Sequence, residues 1–160
     1  MNILLALASL SGNTREVARA IAAYCRGAGH RLDKIETDMQ ALAAAPLPPS
    51  QYDLFLFGSW SDNAGRTPGE MKRFIAELVE VVGKPAHVAV FGTGETQWGE
   101  EYYCGAVHRM AAFFASPYPK LLIEQMPHGE RDQYAIEEWA AAVLQHRMNE
   151  KNGNDHRHVV

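Results

Sequence analysis

Apolar positions along the chain fall into two alternating periods. Residues 3–8 (Ile-Leu-Leu-Ala-Leu-Ala) form a short continuous apolar run, the pattern of a strand covered on both faces in a parallel sheet. Val17, Ile21, Cys25 and Ala28 then recur at helical spacing, and Gly27 and Gly29 predict the helix end. Residues 30–37 alternate loosely through Leu32 and Ile35, as an outer strand does. Residues 39–45 suit a short helix that Pro46, Pro48 and Pro49 stop. Residues 52–58 and 86–92 are the next two buried strands. Between them Pro68 opens a helix with an apolar face of Met71, Phe74, Ile75, Leu78, Val79 and Val82. Tyr103, Ala106, Val107, Met110, Ala111 and Phe114 give another helix, residues 120–124 the last strand, and Ile136, Trp139, Ala140, Val143 and Leu144 the closing helix. Strand and helix thus alternate five times. The expectation is an α/β fold: a doubly wound, five-stranded parallel sheet with helices on both faces, since parallel neighbours need crossover connections.

Length and composition fit that reading. A chain of 160 residues buries a full core as one domain, and 47% hydrophobic with 21% charged residues is ordinary for a globular protein. One domain is expected over residues 1–148, followed by a polar, mobile tail over 149–160. No basic leader with an apolar core and no run long enough to cross a bilayer stands out, so the expected location is the cytoplasm, without membrane insertion. Cys25 and Cys104 lie far apart with no Cys-x-x-Cys spacing, and reduced thiols are expected. The net charge of −4 argues against a nucleic-acid partner. The seven histidines are scattered, with only His156 and His158 close together, so no metal site is expected.

Candidate chemistry gathers in three polar loops, each following a strand. The first, Ser9-Leu10-Ser11-Gly12-Asn13-Thr14, joins a strand to a helix N-terminus, where unpartnered N–H groups and the helix dipole favour an anion. Its hydroxyls suit a phosphate, and Gly12 lets the backbone come close. It lacks both the Gly-Lys-Ser/Thr ending of a nucleoside-triphosphate loop and the Gly-x-Gly-x-x-Gly of a dinucleotide loop, which leaves a phosphomonoester. No lysine or arginine precedes Arg15 in it. The second loop, residues 59–67, and the third, residues 93–100, carry one tryptophan each, Trp60 and Trp98, suited to flanking a flat heterocycle.

Ser-x-Ser-Gly-Asn-Thr after an N-terminal apolar strand resembles the FMN-phosphate loop of the flavodoxin family. Gly58-Ser59-Trp60-Ser61-Asp62-Asn63-Ala64-Gly65 resembles the family's isoalloxazine loop, and Gly92-Thr93-Gly94-Glu95 its pyrimidine-edge loop. The resemblance implies strand order 2-1-3-4-5, with the ligand at the carboxyl ends of the central strands where the winding reverses. It implies FMN as cofactor and single-electron transfer between a flavin- or NAD(P)H-linked reductase and an acceptor protein. Carried over, Ser9, Leu10, Ser11, Gly12, Asn13 and Thr14 hold the phosphate, Ser59, Trp60, Ser61, Asp62, Asn63, Ala64 and Gly65 flank the ring and its N5, and Thr93, Gly94, Glu95 and Trp98 meet its other face and pyrimidine end. In direct superposition Trp60 takes the place of the family's tyrosine and Asp62 that of its tryptophan. The run Gln97-Trp98-Gly99-Glu100-Glu101-Tyr102 resembles instead the flavodoxin-like NrdI proteins, which implies ribonucleotide reductase as an alternative partner. A flavin-free binding or scaffold module is the reading of another class.

Overall fold

In the computed structural model, residues 1–62, 64–95, 103–124 and 129–158 are described, the last five as backbone only. The elements are β1 (Asn2–Ala8), α1 (Asn13–Gly27), β2 (Arg31–Glu36), β3 (Leu54–Trp60), α2 (Gly69–Val82), β4 (Val88–Gly94), α3 (Gly105–Phe114), β5 (Leu121–Glu124) and α4 (Gly129–His158). All strand pairs are parallel, in the order β2-β1-β3-β4-β5. Fold class and strand order are therefore as expected. The short helix expected over 39–45 is a single 3-10 turn, Leu42–Ala44, because the prolines that follow leave no room for more.

Strand alternation assigns each side chain to one of two cores. Ile3, Leu5 and Leu7 of β1, Leu54 and Leu56 of β3 and Ala89 and Phe91 of β4 pack against Val17 and Ile21 of α1 and Trp139 and Val143 of α4. The intervening residues Leu4, Ala6, Phe55, Phe57, Val88 and Val90 face Met71, Phe74 and Leu78 of α2 and Val107, Met110 and Phe114 of α3. Both faces being covered, β1, β3 and β4 carry unbroken apolar runs over residues 3–8, 54–57 and 88–91. Phe57 shows the packing density: it is fully buried, 6.0 Å from the Phe74 ring and 5.4 Å from that of Phe114, a burial worth about 1.5–3 kcal/mol.

The ends of β3, β4 and α4 differ from the sequence reading, each for a tertiary reason. β3 extends to Trp60 and β4 to Gly94, because Ser59 pairs with Ala8 and Gly92, and Trp60 with Thr93. Ser59, Trp60, Thr93 and Gly94 are thus strand residues rather than loop residues. Residues 149–158, expected as a polar tail, continue α4 as helix. Their anchorage is polar. Arg147 Nε donates to the Asp53 carbonyl at 2.7 Å, Lys151 Nζ to Asp53 Oδ1 at 2.8 Å, and the Tyr118 hydroxyl to Glu150 Oε1 at 2.6 Å.

Candidate functional site

Strand register brings the three loops to one edge. Ala8 is opposite Ser59, Ser59 opposite Gly92, and Trp60 opposite Thr93, so the ends of β1, β3 and β4 open onto the same crevice.

In the first loop Gly12 is the residue before α1 and has φ of 93°, a left-handed conformation that admits glycine without steric cost. Ser9 Oγ accepts N–H bonds from Gly12 at 3.1 Å and from Arg15 at 3.3 Å, so it caps the helix from three residues upstream. Asn13 Nδ2 donates to Ser11 Oγ at 3.0 Å on the exposed side of the turn. Leu10 points into solvent, 74% exposed, which leaves its backbone as the part able to meet a ligand. Thr14 turns inward: it is 1% exposed, and its hydroxyl lies 2.8 Å from that of Thr93. Arg15, just past the loop in sequence, brings a cation to it. A Cβ on Gly12 would lie 3.8 Å from Arg15 Nη1, and the Arg15 Nε is hydrogen-bonded to Glu36 at the end of β2. That pairing, through its hydrogen bond first and its charge second, raises the Arg15 pKa.

The second loop closes on itself. Asp62 Oδ1 accepts the N–H groups of Ala64 and Arg66, each at 2.9 Å, its Oδ2 accepts Arg66 Nε at 2.8 Å, and Gly65 N donates to the Asp62 carbonyl at 2.9 Å. The Arg66 backbone N–H, outweighing the cost of burial and helped by the Arg66 side chain and the Ala64 N–H, holds the Asp62 carboxyl below its ordinary range. Ser61 Oγ reaches across to accept the N–H of Ala106 in the first turn of α3, at 2.9 Å. Ser59 is fully buried, with its hydroxyl donating to the Trp60 carbonyl at 2.7 Å. Asn63 lies outside the described residues.

At the third strand end Gly94 packs so tightly on Cys104 that a Cβ would sit 2.8 Å from the Cys104 nitrogen. Cys104 adopts a left-handed φ of 50° at the start of α3. Burial raises its thiol pKa to about 12 and that of Cys25 to about 11, so both remain protonated at neutral pH. Both are free, buried thiols. Glu95 is the last described residue of this loop, and Trp98 and the stretch 97–102 that carries the NrdI resemblance lie outside the described residues.

Two features of these strand ends fit a flavin mononucleotide. Trp60, at the end of β3, has a buried indole N–H with no hydrogen-bond partner among the described residues, a costly state for a donor unless an acceptor arrives. The helix N-terminus after Gly12 presents N–H groups to an anion, with the Arg15 guanidinium near Gly12. Donor chemistry for both the phosphate and a polar ring edge is present, so these residues fit the group. Residues that sequence reasoning did not assign to the site are Glu36, Arg66 and Arg109, whose roles depend on partners 21, 4 and 44 residues away. Only the Asp62-to-Arg66 spacing carried a local signal, that of an Asx turn.

A flavodoxin domain family model matches residues 4–159. Probable flavodoxin 2 of Bacillus subtilis (strain 168) is 29% identical over 143 residues, covering 84% of this chain and 89% of that protein. Among solved structures, oxidised flavodoxin 2 from Bacillus cereus superposes with a TM-score of 0.72 at 29% identity, over 91% of this chain and 99% of that one. Oxidised flavodoxin 1 from the same organism superposes with a TM-score of 0.75 at 21% identity, again over 91% and 99%.

Proposed function

This chain belongs to the flavodoxin domain family, and from that premise we propose that it carries electrons between redox proteins with FMN bound at the carboxyl ends of β1, β3 and β4. Electron transfer with FMN is the general role of the family, and the flavin supplies the redox chemistry when bound. The chain's own residues bind it, orient it and shield it.

The observation that carries the proposal is the convergence of three strand ends, tied together by the Thr14–Thr93 hydroxyl pair, on a crevice with anion-binding donors at one end. The α1 N–H groups with Ser11 and Asn13 hold the phosphate dianion, Ser9 keeps those N–H groups aimed, and Thr14 locks the loop to β4. Leu10 and Gly12 contribute backbone, Gly12 because its left-handed turn lets the phosphate approach. Trp60, Ser61, Asp62, Ala64 and Gly65 would line one side of the ring and Thr93, Gly94 and Glu95 its pyrimidine side, while Asn63 and Trp98, assigned with them from the sequence, lie outside the described residues. The proposed partners are a flavin- or NAD(P)H-linked reductase and an acceptor protein, in the cytoplasm. No described helix is long and apolar enough to cross a membrane.

The test is direct. Purified protein is expected to be yellow, to quench the fluorescence of added FMN and to release FMN on denaturation. Colourless protein that also fails to quench added FMN would sink the assignment.

A further inference from the structure

We infer that Arg109 is a positioning residue that latches the 62–66 loop to α3 and thereby sets the potentials of a flavin bound beside that loop. The inference rests on the FMN reading above and adds to it a residue outside the three loops.

The N–H groups of Ala64, Gly65 and Arg66 are all satisfied inside the loop, by the carboxylate or carbonyl of Asp62. The loop is therefore a preformed unit, and its position depends on what holds that unit. Among the described residues three contacts do so, all from the first turns of α3. Ala106 N donates to Ser61 Oγ at 2.9 Å. Gly105 touches Gly65 so closely that a Cβ on Gly105 would lie 2.3 Å from the Gly65 carbonyl oxygen and 2.7 Å from its Cα. Arg109 Nε donates to that same carbonyl oxygen at 3.1 Å.

Among these, only Arg109 fixes the direction of a peptide. Gly65 has φ of 73°, and a glycine at such a position lets the following peptide turn at little cost. The Arg109 bond keeps the Gly65 carbonyl facing α3. A group that flanks a cofactor and is free to turn reorganises when the cofactor changes charge, whereas a latched one does not. Arg109 is itself exposed, so its contribution lies in orientation rather than in core packing.

Two substitutions separate the latch from alternatives. Arg109→Lys keeps the charge but puts a methylene where Nε stands, and Arg109→Met removes both charge and donor. In the FMN-free protein both are expected to speed amide hydrogen exchange at Gly65 and Arg66 by about tenfold, the equivalent of one lost hydrogen bond, with little change in melting temperature. In the FMN-loaded protein both are expected to widen the gap between the two one-electron midpoint potentials, because the 65–66 peptide is freed to turn. Wild-type exchange rates, or an unchanged or narrower gap, in Arg109→Lys would overturn the inference, the latter pointing to a purely Coulombic effect if Arg109→Met alone shifts the potentials. Failure of the wild-type protein to bind FMN would remove the functional reading instead, and the exchange measurement on FMN-free protein would still decide whether Arg109 holds the loop.

Discussion

Thr14 and Thr93, 79 residues apart, share a buried hydroxyl–hydroxyl bond of 2.8 Å that joins the first turn of α1 to the end of β4. Each is the other's partner inside the fold, with 1% and 3% of their surface exposed. Removing one hydroxyl strands the other in a buried site, whereas removing both leaves nothing unsatisfied. Thr14→Val and Thr93→Val are each expected to cost about 1–3 kcal/mol, and the double variant about as little as the milder single one. Urea denaturation of the FMN-free protein checks this, and additive losses would show that the two hydroxyls are not coupled.

In the proposed site the phosphate meets N–H groups at the start of α1, where the Arg15 guanidinium lies near Gly12 and pairs with Glu36. Riboflavin is expected to bind at least about 100-fold more weakly than FMN, the worth of two charge-assisted bonds. Glu36→Gln frees the Arg15 guanidinium towards Gly12. FMN affinity is then expected to rise about two- to fivefold at low salt, with riboflavin unaffected, since a part-exposed ion contact is worth under about 1 kcal/mol and is screened by salt. Fluorescence titrations of both flavins at two ionic strengths measure the outcome, and equal gains for FMN and riboflavin would place Arg15 away from the phosphate.

A side chain at Gly105 has backbone, not a yielding side chain, in its way. Gly105→Ala must push the 65–66 region off α3, at an expected cost of about 1–3 kcal/mol. Gly69→Ala, with open space around its Cβ, is the control and should leave both melting temperature and FMN affinity near wild type.

Trp60 carries a buried indole N–H without a partner among the described residues. Replacing it by phenylalanine removes that donor, so the FMN-free protein should be no less stable than expected from the smaller ring alone. If the N–H serves the cofactor, FMN affinity falls in Trp60→Phe by about tenfold, the worth of one hydrogen bond. Isothermal titration calorimetry at matched temperature separates the two, and unchanged affinity would remove Trp60 Nε1 from the polar contacts.

Asp53 ties the far end of α4 to the sheet. Burial pushes its carboxyl up, but the Lys151 ammonium, the Asn2 N–H and the chain's amino terminus together push it further down, so the folded pKa is depressed. A depressed carboxylate stabilises the fold above its unfolded pKa of about 3.9, and that contribution disappears as pH falls through the lower folded value. The stability difference between wild type and Asp53→Asn is expected to be constant from pH 7 to about pH 5 and to shrink below about pH 4. In a Lys151→Met background the difference should be smaller throughout. Urea midpoints between pH 7 and 2.5 give the curve, and a difference that grew on acidification would reverse the sign of the Asp53 contribution.

The strands that build the crevice were legible in the sequence because their signal is local. A parallel strand covered on both faces is apolar along its buried length, and residues 3–8, 54–57 and 88–91 are. The turn over residues 9–14 stands out for a related reason, since glycine, hydroxyl and amide residues between a strand and a helix gather within six positions. Strand ends were less legible. Gly58, Ser59 and Trp60, and likewise Thr93 and Gly94, break the apolar pattern yet remain in the sheet, because a neighbouring strand supplies their hydrogen bonds.

What ties the loops of the site to one another depended on partners far along the chain. Thr14 read locally as a phosphate donor and is engaged with Thr93, while Arg15 stands beside Gly12 because Glu36 holds it there. Residues 149–158 show no apolar period, yet they are helical, with Glu150 and Lys151 meeting Tyr118 and Asp53, 32 and 98 residues away. Hydrophobic periodicity is a property of neighbouring residues and survives in a bare sequence. Single polar bonds between distant residues leave no periodic trace, so only the folded chain decides which hydroxyl, guanidinium or carbonyl each of them meets.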